Sequence, residues 1–193
     1  MAGRRDEREA WARYLMGLLL SDNCSYERAE ELLRDALDYM PELAAARVEL
    51  GVVYCGLGRY EEMLEEFREA IRLDVRAVRE AVRDEPKELE ELRRVLYPPR
   101  EATPPPRRDN SRLIPTHVYA ASALAEQGVA EMAAGRDVKA VDFLERALQL
   151  DPSRNDVTAL LALAYLLRGD ELVADDDGVR PVATPADARP YGE

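Results

Sequence analysis

Apolar residues recur along this chain at intervals of three and four. Leu33, Ala36 and Leu37 share one spacing, and Phe67, Ala70 and Ile71 repeat it, as do Leu144, Ala147 and Leu148. Glutamate, arginine and aspartate fill the positions between, so each stretch reads as a helix with one oily stripe. Alternation of period two, the mark of a half-buried strand, is nearly absent, and the expected class is all-α.

The stripes themselves repeat. A shift of 34 residues lays Gly17 on Gly51, Tyr26 on Tyr60, Ala29 on Met63, Leu33 on Phe67 and Ala36 on Ala70. A further shift of 77 residues lays Gly51 on Gly128, Gly58 on Gly135, Met63 on Ala140 and Phe67 on Leu144. The closing Leu150-Asp151-Pro152 answers Leu73-Asp74-Val75, and Pro41 closes the first copy. A fourth start at Leu161, Ala162 and Tyr165 echoes Leu50, Gly51 and Tyr54, but the chain turns acidic at Asp170 before a second helix can follow.

The small residue, the aromatic three later, the Gly-x-Tyr turn at Gly58-Arg59-Tyr60, the Phe67-x-x-Ala70-Ile71 run and the closing Pro resemble the tetratricopeptide repeat. The second copy departs from that pattern where Val75 replaces the Pro. The resemblance implies an α-solenoid of antiparallel helix pairs that stack to cover their stripes. Two repeats are expected at 10–43 and 44–77, and a third at 121–154 within a block 117–169 that ends in a capping helix. Residues 78–97 read as an inserted helical hairpin or degenerate repeat, with Leu89, Leu92, Val95 and Leu96 on one face. Stretch 98–116 holds six of the chain's twelve prolines and reads as an extended linker. The tail 170–193, rich in Pro, Ala and Asp, is expected to be acidic and disordered.

The resemblance also implies a function. First helices of such units line a concave face that grips another polypeptide. By spacing, that face consists of Trp11, Tyr14 and Leu18, then Val48, Val52 and Cys55, then Ala125, Val129 and Met132, then Ala159, Leu163 and Leu166. Lacking the Lys, Arg and Asn that clamp a carboxylate in chaperone-binding relatives, it suits an apolar helical or extended segment. The expected role is a scaffold, adaptor or assembly factor. The alternative is a constitutive subunit of a homo- or hetero-oligomer that uses the same faces. The partner is another protein, or a second copy of the chain.

Composition narrows the rest. The net charge of −12 opposes a phosphate backbone, so no nucleic-acid partner is expected. No apolar run is long enough to span a membrane. Cys24 and Cys55 lie in different elements without metal spacing, which fits reduced thiols in a cytoplasm. His117 is the sole histidine, and no phosphate loop, metal-ligand spacing or catalytic triad accompanies it. The chain reads as a non-enzyme with no cofactor, metal or catalytic residue.

Overall fold

The computed structural model describes residues 2–83, 85–97, 116–175 and 178–182. Among them are eight helices and one short β-hairpin. The helices are α1 (Ala2–Asp22), α2 (Tyr26–Tyr39), α3 (Ala44–Gly56), α4 (Tyr60–Arg83), α5 (Lys87–Leu96), α6 (Thr116–Ala133), α7 (Asp137–Leu150) and α8 (Asn155–Arg168). Three antiparallel pairs, α1/α2, α3/α4 and α6/α7, carry the fold, and α8 packs on α7 in the position of a further first helix.

The sequence repeat has a direct packing cause. Gly17, Gly51 and Gly128 each face the bulky side chain of their own pair: Leu33, Phe67 and Leu144. A β-carbon at Gly17 would stand 2.7 Å from Leu33 Cγ, and one at Gly128 would stand 2.6 Å from Leu144 Cγ. One at Gly51 would collide with the Phe67 ring. Leu33, Phe67 and Leu144 are fully buried as a result. Gly58 and Gly135 end the first helices with φ of +73° and +74°, a left-handed conformation that a side chain resists.

A second element recurs between units. Tyr54 of α3 meets Arg34 of α2, whose Nη2 donates to the phenolic oxygen at 2.7 Å, and its hydroxyl donates to Glu30 at 3.3 Å. Tyr165 of α8 donates in the same way to Glu145 of α7. A tyrosine on each of these two helices thus ties it to the second helix of the preceding unit.

The inserted hairpin begins earlier than the repeat spacing places it. By spacing, the second unit runs to Ala77 and the insertion starts at Val78. Instead α4 kinks at Asp74, where φ is −160° and ψ is 101°. The Asp74 carboxylate accepts from the backbone N–H groups of Arg76 and Ala77, at 2.8 and 3.2 Å, and so caps a new helical arm at once. With Val75 in place of Pro, nothing forces an intervening turn. At the equivalent Asp151, where Pro152 follows, the carboxylate accepts from Ser153 N at 3.2 Å and a turn precedes α8.

Helix α5 folds back onto α1, burying Leu89 against Leu15 and Leu19 with Leu92 alongside. Val95 and Leu96, expected on that same face, are exposed. Arg93 is ion-paired to Asp22, the last residue of α1, so the final turn of α5 overhangs the end of that helix.

The tail also differs from expectation. Rather than being disordered from Asp170, it pairs Leu172–Asp175 with Gly178–Pro181 as an antiparallel hairpin. Leu172 is buried, and its carbonyl accepts from Arg68 Nη2 at 3.0 Å. Leu172, with Ala174 and Val179 packed against the core, and the bond from Arg68 hold it on α4 and α8, a signal too short to stand out in an acidic stretch. The end of the tail, 183–193, and the Pro-rich linker up to Pro115 lie outside the described residues.

Candidate partner-binding groove

The two halves of the chain dock on each other, and this decides which of the expected groove residues stay open. Arg79, on the C-terminal arm of α4, makes a two-pronged ion pair with Asp137 at 2.7 and 2.8 Å and also donates to the Met132 carbonyl. Helix α8 packs against α3, where Cys55 Sγ lies 3.3 Å from the Asn155 carbonyl. Burial pushes the Cys55 thiol up to about 12, so it is a packed, protonated group.

Tyr14, Val48, Cys55, Ala125, Met132, Ala159 and Leu163 are accordingly buried within the chain. Trp11, Leu18, Val52, Val129 and Leu166 are half-buried. These residues do not form one open stripe. Two cavities remain on the inner side of the first two units, and neither is lined by α6, α7 or the body of α8.

The first cavity has a volume of about 450 Å³ and lies between α1, the start of α3, the C-terminal arm of α4 and the start of α5. Trp11 and Tyr14 form its aromatic wall, with ring centroids 5.1 Å apart. Leu43, Ala44, Ala45, Ala77 and Ala81 give it a small-sided apolar floor. Glu42, Asp74, Glu80 and Glu88 stand around it with Arg83. The alanines follow from the pattern: small side chains at one face of α3 and of the α4 arm leave room between helices.

The second cavity, about 470 Å³, lies between the end of α1, α3 and the turn into α8. Ser21, Asp22, Tyr26, Glu49, Val52, Gly56, Arg154 and Asp156 are among its lining residues. The Tyr26 ring rests directly on Gly56, where any β-carbon would strike it. Asp156 is clamped by Arg154 at 2.6 and 2.9 Å, which holds its carboxyl below the usual range. Asp22 is paired with Arg93, which also reaches Glu85 at 2.7 Å.

Glu49 is the residue that sequence reasoning misses. Ala45, Glu49, Val52 and Gly56 line the cavities at a spacing of four, three and four, one continuous face of α3. The apolar series Val48, Val52 and Cys55 sets the phase one position off at both ends. A signal exists nonetheless. The 34-residue shift lays Glu49 on Leu15, so an acid occupies what is a buried apolar position in the unit before. Burial raises the Glu49 carboxyl to about 7, a hydrogen bond from Ser21 opposes the rise, and the Asp22 and Glu85 carboxylates add to it.

Among the described residues no group of three metal-ligating side chains converges. No helix among them is long and apolar enough to cross a membrane. His117 falls in the first turn of α6, far in sequence from either cavity lining.

No curated protein matches the chain. Residues 14–81 match the family model described as Tetratricopeptide repeat. The match spans part of α1, all of α2 and α3, and α4 with most of the capped arm after Asp74, which supplies most of the first cavity's lining and the α1, α2 and α3 side of the second. The stretch 14–81, with its pairs locked by Gly17 on Leu33 and Gly51 on Phe67, is thus similar to tetratricopeptide repeats.

Proposed function

We propose that this protein is a scaffold or adaptor that holds a segment of a partner protein in the cavity framed by α1, α3, the capped arm of α4 and α5. Repeats of this family are protein–protein interaction modules, and the supporting observation is that cavity itself. It is an apolar trough, about 450 Å³, with an aromatic wall on one side and alanines on the floor. An extended or helical apolar segment fits such a surface. Covering on the order of 400 Å² of apolar surface yields about 10 kcal/mol before the cost of association, consistent with a micromolar contact. A cytoplasmic setting suits the two unpaired thiols.

Site-specific photo-crosslinking tests the reading. A crosslinker at Ala45 or Ala81 should capture a partner polypeptide, and one at Glu65, on the opposite face of the second unit, should not. Ala81→Arg should abolish capture while leaving the helical signal intact. Equal capture from Glu65 would sink the assignment.

The second reading, a constitutive subunit, draws on a different observation. The end of α5 leaves Val95 75% and Tyr97 59% exposed beside Leu96. Light scattering separates the two: a stable multimer that Val95→Glu dissociates would favour the subunit.

A further inference from the structure

Glu49 is placed where a carboxylate is costly to keep. It is half-buried on one face of α3 and lines the second cavity beside Ser21. Asp22 at the end of α1 shares its cavity, and the charges of Asp22 and of Glu85 before α5 both act against its ionised form. The cations at hand are committed elsewhere: Arg93 bridges Asp22 and Glu85, and Arg154 clamps Asp156. No described cation pairs with Glu49. A half-buried carboxylate set among other acids is stabilised by an incoming opposite charge.

The cavity in front of it suits such a charge. Val52 and the Tyr26 ring offer apolar surface to an aliphatic stem, and Glu49 and Ser21 offer acceptors to its tip. One turn along the same face, Ala45 belongs to the floor of the first cavity, so a segment lying there can reach Glu49 with one side chain. Acids outnumber bases around both cavities, with Glu42, Asp74, Glu80 and Glu88 against Arg83 at the first and Asp22, Glu49 and Asp156 against Arg154 at the second, on a chain of net charge −12.

We propose that the partner segment is apolar with a basic side chain, arginine or lysine, which inserts beside Glu49 and pairs with its carboxylate. This rests on the reading of the first cavity as a polypeptide groove and names the chemistry of its occupant. Discrimination arises because a neutral side chain covers the cavity and leaves the Glu49 carboxylate without an opposite charge.

Two decapeptides test it on the full chain at 0.15 M salt. One alternates leucine and arginine, and the other replaces each arginine by citrulline, which keeps the shape and removes the charge. Fluorescence of Trp11, the sole tryptophan and part of the first cavity wall, reports occupancy. The arginine peptide should bind at least tenfold more tightly, and Glu49→Gln should erase that preference while Trp11 still responds. With carboxyl-labelled glutamate, NMR should show the Glu49 titration midpoint falling by a unit or more when the arginine peptide is bound. Equal binding of both peptides, or a preference that survives Glu49→Gln, overturns the proposal and leaves the groove reading standing. If neither peptide disturbs Trp11 at millimolar concentration, both readings fail.

Discussion

At the scale of single residues, the fold depends on pairs of opposite size. Gly51 leaves the space that Phe67 fills, and the same relation holds at Gly17 with Leu33 and Gly128 with Leu144. Gly51→Val therefore forces a branched side chain into an aromatic ring already in contact with the helix. It should cost about 1–3 kcal/mol, read as a lower urea midpoint with helicity otherwise retained. These pairs are legible in the amino-acid order alone, because a glycine and a bulky residue sixteen positions apart recur in three copies. Glu49 is not, since a search for apolar stripes passes over an acid. Its effect on stability has a definite sign. Its folded-state pKa, about 7, lies above the ordinary 4.5. Below pH 4.5 both states hold the proton and nothing is lost. Between the two values the unfolded chain gives up the proton first, so stability falls as pH rises, and above 7 the loss is constant. Urea melts at pH 4 and pH 8 should show Glu49→Gln nearly neutral at the first and stabilising by on the order of 2 kcal/mol at the second. A Gln variant weaker at pH 8 would contradict this.

Elements are where sequence and structure part, for two physical reasons. A missing proline does not announce itself. Leu73-Asp74-Val75 looks like a unit end, but with Val75 the backbone turns at Asp74 and starts a capped arm immediately. The hairpin at Leu172–Asp175 and Gly178–Pro181 is hidden by the acids around it, since four-residue strands carry little periodic signal. The capped arm matters beyond local geometry because it carries Arg79. Its guanidinium reaches Asp137 and the Met132 carbonyl, joining the second unit to the third across a long stretch of chain. Both partners are largely buried, so Arg79→Ala strands a carboxylate. The expected loss is about 2–3 kcal/mol in chemical denaturation. A loss within experimental error would show that apolar contacts alone hold the junction.

For the whole molecule, docking of α8 on α3 is the step that no local pattern foretells. Repeat spacing says that helices pair and stack, but it is silent on which faces a chain interrupted at 98–115 will present to itself. This is why Val48, Cys55 and Leu163 read as groove and are core. The two thiols make the docking measurable. Cys24 is exposed and Cys55 is sealed beneath Asn155. A thiol reagent should label Cys24 at once and Cys55 only through opening of the fold, with a difference in rate on the order of a hundredfold or more. Arg79→Ala should speed labelling of Cys55 and leave Cys24 unchanged. Similar rates in the parent chain would mean that α8 is not seated.

Helix α5 carries the last consequence. It has one fully buried side chain, Leu89, and its polar tie is the Arg93 bridge to Asp22 and Glu85. A short helix anchored so lightly swings out long before the stacked pairs come apart, and hydrogen exchange should find its amides unprotected ahead of those in α3. Because α5 brings Glu88 to the edge of the aromatic-sided cavity, a guest of the proposed kind would be free to depart sideways when α5 swings out. On that proposal the strength of the Leu89 contact would set how long the guest stays, and Leu89→Ala should raise the off-rate of a bound peptide without touching the surface it rests on.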